Sequence, residues 1–198
     1  MSFRRISILA AVALLFGTLV VTTARAQSVS SFTLKNSANA DVALSSYADR
    51  KAVVVVFVNP SCAFSKLYQG RLNELKAKYS GRGVEFMFIN APINLEASTD
   101  TDADKMKVKT AGNELAYLTD EGQKASTMLG ATKTPEAFLL VPAGSGFTVR
   151  YKGAIDDNAQ VESYVKEAYL AQALDNILAG KPAGVTDKRA AGCLIKKF

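Results

Sequence analysis

Two cysteines, Cys62 and Cys193, are the residues of this 198-residue sequence with the clearest capacity for chemistry. The chain contains no histidine, so imidazole general bases, serine–histidine hydrolases and histidine-ligated metals are excluded together. Two cysteines without histidine also argue against a structural zinc site, which needs four ligands. The chemistry that remains is that of thiols: attack by a thiolate, or formation of a disulfide.

Cys62 lies between two strong secondary-structure patterns. The β-branched run KAVVVVFVN, residues 51–59, predicts a central strand that is buried on both faces. An amphipathic helix is predicted just after Cys62 by apolar residues spaced three and four apart, namely Phe64, Leu67, Tyr68, Leu72, Leu75 and Tyr79. In open α/β sheets, functional groups collect at this junction of strand end and helix start.

The helix start provides a physical reason for Cys62 to be reactive. Free N–H groups and the positive end of the helix dipole favour a thiolate, and they lower a cysteine pKa from its free value of ~8.5. The alternative is a buried and inert cysteine. The polar and turn-forming neighbours favour the reactive interpretation; they are Asn59, Pro60, Ser61 and Ser65.

Ser65 occupies the place that a second cysteine would take in a Cys-x-x-Cys pair. A local dithiol is therefore impossible. We expect the Ser65 hydroxyl to satisfy a free backbone N–H at the helix start. A hydrogen bond to a Cys62 thiolate is the alternative.

The remaining patterns predict one α/β domain around this junction. A second buried strand at residues 84–90 completes a βαβ unit with a parallel sheet. Further strands are predicted at residues 30–36, 41–44, 114–119, 136–141 and 147–152, the first two forming a hairpin. Helices are predicted at residues 123–129 and, as a long closing helix with its apolar side from Val161 to Leu178, before Gly180.

Two polar stretches carry weaker signals. Residues 96–105 predict a solvated loop, followed by a short helix. Asp156 and Asp157 predict a turn and a helix N-cap rather than an acid pair for catalysis.

The N-terminus predicts export. Arg4 and Arg5, an apolar run at residues 6–21 and the Ala24-Arg25-Ala26 cleavage pattern indicate a signal peptide over residues 1–26, with an uncleaved anchor as the alternative. The expected location is the periplasm or the exterior, with no membrane attachment after cleavage. In such an oxidising compartment a thiol is either paired or reactive.

The mature chain is expected to hold one domain at residues 27–181 and a basic, flexible C-terminal tail at residues 182–198. Removing three arginines with the signal lowers the formal net charge from +6 to +3. This mild excess, without a basic helix carrying interleaved aromatics, excludes nucleic acid as the expected partner. Extended, the ten residues 182–191 reach up to ~33–36 Å, enough to bring Cys193 to Cys62.

Four stretches taken together resemble a known family. FVNPSCAFSKLYQGRLNELKAKY, TPEAFLL, RYKGAIDDN and GCLIK occur in order over nearly all of the mature chain. They are similar to the redoxin branch of the thioredoxin superfamily, related to alkyl hydroperoxide reductase and thiol-specific antioxidant proteins. The resemblance implies a thioredoxin fold: a central mixed β-sheet flanked by helices, here with an extra N-terminal hairpin.

The resemblance also assigns roles. It implies Cys62 as the active thiol, Pro135 as a cis-proline that packs beside it after Thr134, and Cys193 as a candidate second thiol. Family members commonly show His-Cys-Pro where this chain has Ser61-Cys62-Ala63. The departure leaves thiol activation to the helix terminus and the backbone. The proline and threonine that precede a peroxiredoxin cysteine are also missing.

Two functions fit these observations. The first is an oxidoreductase in which Cys62 attacks a disulfide or a peroxide, and Cys193 or an external thiol resolves the intermediate. Its partners would be protein or small-molecule thiols and disulfides, or peroxides, and a thiol reductant; no cofactor is implied. The second is a binding or structural module with a permanent Cys62–Cys193 disulfide. Pairing of Cys193 between two chains is a further alternative.

Overall fold

A mixed β-sheet of nine strands organises the part of the chain that the computed structural model describes, residues 27–94 and 116–198. The strands in chain order are β1 (Ser28–Val29), β2 (Thr33–Lys35), β3 (Asp41–Ala43), β4 (Ala52–Val58), β5 (Val84–Asn90), β6 (Tyr117–Thr119), β7 (Lys133–Thr134), β8 (Glu136–Ala143), β9 (Gly146–Gly153), β10 (Asp187–Lys188) and β11 (Cys193–Leu194). The α-helices are α1 (Ala63–Ser80), α2 (Lys124–Leu129) and α3 (Tyr169–Leu178).

The sheet is built outward from β4, which is buried along its whole length. The strand order is β1-β9-β8-β4-β5-β6-β2-β3, and β10 also pairs with β9. β4 runs parallel to β5 and antiparallel to β8. The predicted βαβ unit and N-terminal hairpin are therefore present, and the domain has the mixed α/β thioredoxin fold expected from the sequence.

The alternating residues of β4 separate two hydrophobic cores. Val54 and Val56 face a cluster that includes Leu72 of α1 and Leu174 of α3. Val55 and Phe57 face the opposite cluster, where α2, the N-terminal hairpin and the C-terminal tail pack. Because both faces of β4 are covered, every position of the strand can hold an apolar side chain. This explains why its β-branched run is uninterrupted.

The closing helix is shorter than the sequence pattern predicted. α3 begins at Tyr169, and residues Glu162–Tyr164 form a 3-10 turn instead. The Asp157 carboxylate accepts the backbone N–H groups of Lys166 and Glu167, and its own N–H donates to the Glu167 carbonyl. These bonds close residues 157–167 into a loop and compete with helix formation.

The exposed side chains in this region explain why the predicted closing helix was too long. Val161 is 41% exposed and Tyr164 is 67% exposed, so neither contributes to the apolar side predicted for the helix. Leu67 of α1, also predicted to lie on an apolar face, is 49% exposed. The apolar spacing was real, but these three residues were assigned to the core wrongly.

The C-terminal tail contains regular structure that its sequence did not predict. Lys188 of β10 pairs in parallel with Gly153 of β9, and Cys193 of β11 pairs antiparallel with Thr134 of β7. Both pairings use backbone groups, so they leave no periodic side-chain signal. The tail lies against the domain instead of lacking regular structure.

Three sequence expectations fall outside the described residues: the signal peptide at 1–26, the polar loop at 96–105, and the short helix after it. Within residues 27–94 and 116–198, no helix has the length and apolar character needed to cross a membrane.

A substitution at Gly153 tests whether β10 pairs with β9 as described. A Cβ atom at Gly153 would lie 1.7 Å from the Lys188 carbonyl oxygen, and its φ of +120° disfavours other residues. We expect Gly153→Ala to lower the free energy of unfolding by about 1–3 kcal/mol in urea titrations. The matched control is Gly70→Ala, which meets nothing within 4 Å and should stabilise α1 by about 0.5–1 kcal/mol. Equal stability of the two variants would contradict the docking of β10.

Candidate active site

Cys62 is the N-cap residue of α1, four residues after the last residue of β4. A tight turn places it there, because its N–H donates to the Asn59 carbonyl at 3.0 Å. The Asn59 side chain holds this turn to the next strand: its Nδ2 donates to the Ala91 carbonyl at 2.8 Å, and its Oδ1 accepts the Ser61 N–H at 2.7 Å. Asn59 is thus a positioning residue that sequence reasoning noticed only as polar surroundings.

Ser65 joins the same turn from the helix side. Its Oγ accepts the backbone N–H of Asn59 at 3.2 Å, and the side chain is buried. The N–H that Ser65 satisfies therefore belongs to the strand end and not to the first turn of α1. The first turn of α1 carries no acidic residue, so no carboxylate in that turn opposes a negative charge at Cys62.

Thr134 lies against the sulfur of Cys62, and Pro135 follows it in the chain. The Thr134–Pro135 peptide bond is cis, as the family resemblance implies. The Cys62 Sγ is 3.1 Å from the Thr134 carbonyl oxygen. Thr134 is fully buried, and its Oγ1 has no hydrogen-bond partner within the described part of the chain.

Glu136 fixes the loop that carries Thr134. Its Oε2 accepts the N–H groups of Thr132 at 2.7 Å and Lys133 at 3.1 Å. The side chain is buried, so these bonds also satisfy a carboxylate that would otherwise be destabilised away from water. Nothing in the sequence signals this role beyond the position of a glutamate directly after Pro135.

The two cysteines are bonded to each other. Cys62 and Cys193 form a disulfide within one chain, with an S–S distance of 2.16 Å and a Cα–Cα distance of 6.0 Å. Cys62 is fully buried, whereas Cys193 is half-buried. Of the pairings that the sequence left open, the structure contains the one within a single chain. It also brings together five of the predicted site residues: Cys62, Cys193, Thr134, Pro135 and Ser65.

A buried ion pair ties α1 to the loop after β9. Asp156 accepts a hydrogen bond from the Tyr68 hydroxyl at 2.6 Å and one from Arg71 Nη1 at 2.6 Å. Arg71 also donates to the carbonyls of Asn158 and Ala159. Burial, together with the hydrogen bond to Asp156, raises the pKa of Tyr68, so its hydroxyl remains a donor. Asp156 was predicted as a turn residue, and its role as a buried charge could not be read from the sequence.

A cavity of about 320 Å³ lies on the flank of the site. Pro135 and Tyr68 form part of one wall, and Lys188, Arg189 and Ala191 of the tail form another. The tail therefore contributes to the walls of this cavity as well as to the disulfide.

Comparisons with known proteins bear on the family and the fold. The family model described as the AhpC/TSA family matches residues 26–163. No curated protein matches the sequence significantly. Among solved structures, a hypothetical protein from Sinorhizobium meliloti shares 27% identity with a TM-score of 0.73, covering 87% of this chain and 94% of that one. An uncharacterised conserved protein from Geobacillus kaustophilus also shares 27% identity with a TM-score of 0.73, covering 87% of this chain and 92% of that one.

More distant structures show the same fold. A protein assigned as the thiol:disulfide interchange protein DsbE from Chlorobium tepidum has 18% identity and a TM-score of 0.54, over 80% of this chain and 97% of that one. The peroxidoxin BcpB from Mycobacterium tuberculosis has 15% identity and a TM-score of 0.51, over 78% of this chain and 96% of that one. At these identities the similarity shows the thioredoxin-like fold alone.

The contribution of the disulfide to stability should grow with the logarithm of the length of the loop that it closes. The two cysteines are separated by 131 residues in sequence, which corresponds to at most about 5 kcal/mol in the chain-entropy treatment. We expect Cys193→Ser to lower the free energy of unfolding by up to that amount under oxidising conditions, and by little when the parent protein is fully reduced. Non-reducing peptide mapping should find a Cys62–Cys193 cross-link in monomers. Two free thiols, or only a Cys193–Cys193 dimer, would contradict the pairing.

The buried pair of Arg71 and Asp156 should matter far more than an exposed pair. Asp156→Ala leaves the Arg71 charge buried without its partner, and we expect a loss of about 3–5 kcal/mol in urea titrations. Asp175→Ala is the control, because Asp175 pairs with Arg82 at 2.8 Å on the surface; its loss should be at most about 1 kcal/mol. Similar losses for both variants would show that Arg71 can be solvated when Asp156 is removed.

Proposed function

Because the chain belongs to the AhpC/TSA family, we propose that it is an exported thiol–disulfide oxidoreductase with Cys62 as nucleophile and Cys193 as resolving thiol. The observation that carries this proposal is the intrachain disulfide, which joins a cysteine at a helix N-terminus to one on a docked tail. Protein or small-molecule disulfides are the substrates, and an external thiol is the reductant.

The proposed reaction has two exchange steps. The Cys62 thiolate attacks one sulfur of a substrate disulfide, which forms a mixed disulfide and releases the other substrate sulfur as a thiolate. The Cys193 thiolate then attacks the Cys62 sulfur, forming the internal disulfide and releasing the second substrate thiolate. Two electrons pass from the cysteine pair to the substrate. The direction of net transfer follows the reduction potential of the pair relative to the external thiol.

The surroundings of the disulfide favour Cys62 as the leaving group when the reductant attacks. Cys193 is the less buried partner, so an incoming thiolate reaches its sulfur more easily. The departing Cys62 thiolate is stabilised by the N–H groups and dipole of α1. The Thr134 carbonyl acts in the opposite sense, because it can accept a hydrogen bond from the protonated thiol but not from the thiolate.

A thiol peroxidase is the second candidate, and family membership favours it. In that reaction Cys62 would reduce a peroxide and become a sulfenic acid. The Cys193 thiol would then condense with the sulfenic acid to form the disulfide and release water. The sequence Ser61-Cys62-Ala63 lacks the residues typical of peroxiredoxins around the cysteine, and we therefore rank disulfides above peroxides as substrates. A non-catalytic module with a permanent disulfide is the remaining alternative.

Export rests on the N-terminal sequence. The charged, apolar and small-residue segments of residues 1–26 form the pattern of a cleaved signal peptide. A periplasmic or secreted location would supply disulfide substrates and oxidising conditions.

The proposal is tested by following both thiols of the reduced mature protein by intact mass. With a small neutral disulfide, we expect the parent to lose two hydrogens as the internal disulfide forms, and Cys193→Ser to retain a stable adduct on Cys62. Cys62→Ser should react much more slowly. Faster reaction with hydrogen peroxide than with the disulfide would favour the peroxidase. A reduction potential below about −300 mV would favour the permanent disulfide.

Thr134 provides a second test of the site. Its buried hydroxyl has no hydrogen-bond partner among residues 27–94 and 116–198 in the disulfide form, and we propose that it donates to the Cys62 thiolate after reduction. Thr134→Val in a Cys193→Ser background should then raise the Cys62 pKa, measured by iodoacetamide labelling against pH. Stability should change little, because no hydrogen bond is lost from the folded protein. Thr134→Ser is the control and should retain the parent pKa. An unchanged pKa in Thr134→Val would refute this role.

A further inference from the structure

The end of the C-terminal tail is held between two segments of backbone. We call this place the docking groove and define it by residues 132–134 on one side and residues 92–94 on the other. Cys193 and Leu194 pair antiparallel with Thr134 and Lys133. Across the groove, Ile195 forms an antiparallel bridge with Ile93.

Backbone hydrogen bonds from both sides bind the tail as an extended strand. The Ile195 N–H donates to the Thr132 carbonyl at 3.0 Å. The Lys196 N–H donates to the Pro92 carbonyl at 2.8 Å, and the Asn94 N–H donates to the Leu194 carbonyl at 3.3 Å. Such bonds do not depend on side-chain identity, so any extended segment could form them.

Two side-chain positions in the tail are nevertheless restricted. A Cβ atom on Gly192 would lie 2.3 Å from the Thr134 carbonyl oxygen, so the residue before the cysteine must be glycine for the strands to approach. Ile195 is only 6% exposed and packs in the core cluster that also contains Ile89 and Leu129. The position two residues after the cysteine therefore requires an apolar side chain.

The position between them is unrestricted. Leu194 is 57% exposed, as expected for a strand in which alternate side chains point to opposite sides. The tail thus presents the pattern Gly-Cys-any-apolar to a groove that lies directly beside Cys62.

We propose that the docking groove is a recognition site for protein disulfides in extended segments of the type Gly-Cys-any-Ile, and that the tail is its intramolecular occupant. This inference rests on the proposed function and specifies the substrate class of the same site. Reduction of the Cys62–Cys193 bond removes the covalent tie that holds the tail, and a substrate segment can then replace it.

The tail and the substrate occupy the same groove one after the other. This alternation gives the exchange a defined order. A substrate segment docks with its cysteine at the place of Cys193, and Cys62 attacks that sulfur while the partner sulfur leaves as a thiolate. Cys193 then attacks Cys62, and the tail occupies the groove as the reduced substrate segment departs. Recognition and product release thereby use the same backbone contacts.

The test uses the full chain carrying Cys193→Ser and the peptide Ala-Gly-Cys-Leu-Ile-Lys-Lys-Phe, which copies residues 191–198. The peptide cysteine is activated as a mixed disulfide with thionitrobenzoate, so attack by Cys62 releases a coloured thiolate. Three altered peptides carry the changes Gly192→Ala, Ile195→Asp and Leu194→Asp. Because the tail of the protein competes equally with every peptide, the ratios of rate constants report the peptide side chains.

We expect the Gly192→Ala and Ile195→Asp peptides to react about tenfold or more slowly than the parent peptide. The Leu194→Asp peptide, changed at an exposed position, should differ by less than about threefold. A protein that carries Ile195→Asp in addition to Cys193→Ser should react faster with the parent peptide, because its own tail binds the groove less well.

The small disulfide dithiobis(nitrobenzoate) distinguishes a failure of the recognition site from a failure of the proposed function. Rapid reaction of Cys62 with this compound, combined with equal rates for all four peptides, would overturn the recognition site and leave the proposed function standing. Failure of Cys62 to react with either the compound or the peptides would overturn both. Slower reaction of the Gly192→Ala and Ile195→Asp peptides alone supports the groove.

Discussion

The register of the two strands that flank β4 determines where everything at the site lies. Val58 pairs with Asn90 of β5, and Phe57 pairs with Glu136 of β8. The end of β4, the end of β5 and the start of β8 therefore meet at one edge of the sheet. Cys62 follows the first of these, the 92–94 segment follows the second, and Thr134 and Pro135 precede the third. A shift of β4 by one residue would move Phe57 out of the core cluster that it shares with Val55 and into the opposite one, which disfavours other registers.

Buried polar groups hold the loops at the ends of these strands in place. Asn59 holds the cysteine turn to Ala91, and Glu136 holds the amides of residues 132 and 133. Arg71 and Asp156 join α1 to the loop after β9. Each of these groups makes at least one hydrogen bond within the domain, although Arg71 Nε has no hydrogen-bond partner among the described residues. These buried bonds hold the loops in place. The tail, by contrast, is joined to these loops by a bond that thiols can open.

This division of labour links stability to function. The Cys62–Cys193 bond closes a long loop and so limits the unfolded chain, yet it is also the bond that the proposed reaction makes and breaks. The reduced protein must therefore remain folded on its two hydrophobic cores without the disulfide. Ile195 belongs to one of those cores, so release of the tail exposes apolar surface unless another segment replaces it. That balance favours exchange of occupants over an empty groove.

The sequence by itself determined the central elements and the identity of the thiols. The β-branched run around Val54 and the spacing of Tyr68, Leu72 and Tyr79 reflect burial, which leaves a direct mark on residue type. The absence of histidine and of a second nearby cysteine limited the chemistry just as directly. Only the tertiary structure decided the rest. Gly192, Ile195, Asn59 and Asp156 act through contacts with residues far away in sequence, and backbone pairing of the tail carries no periodic side-chain pattern. Helix-like spacing near Val161 was misleading for the same reason: hydrogen bonds to Asp157 close a loop there, and local apolar periodicity does not encode such bonds.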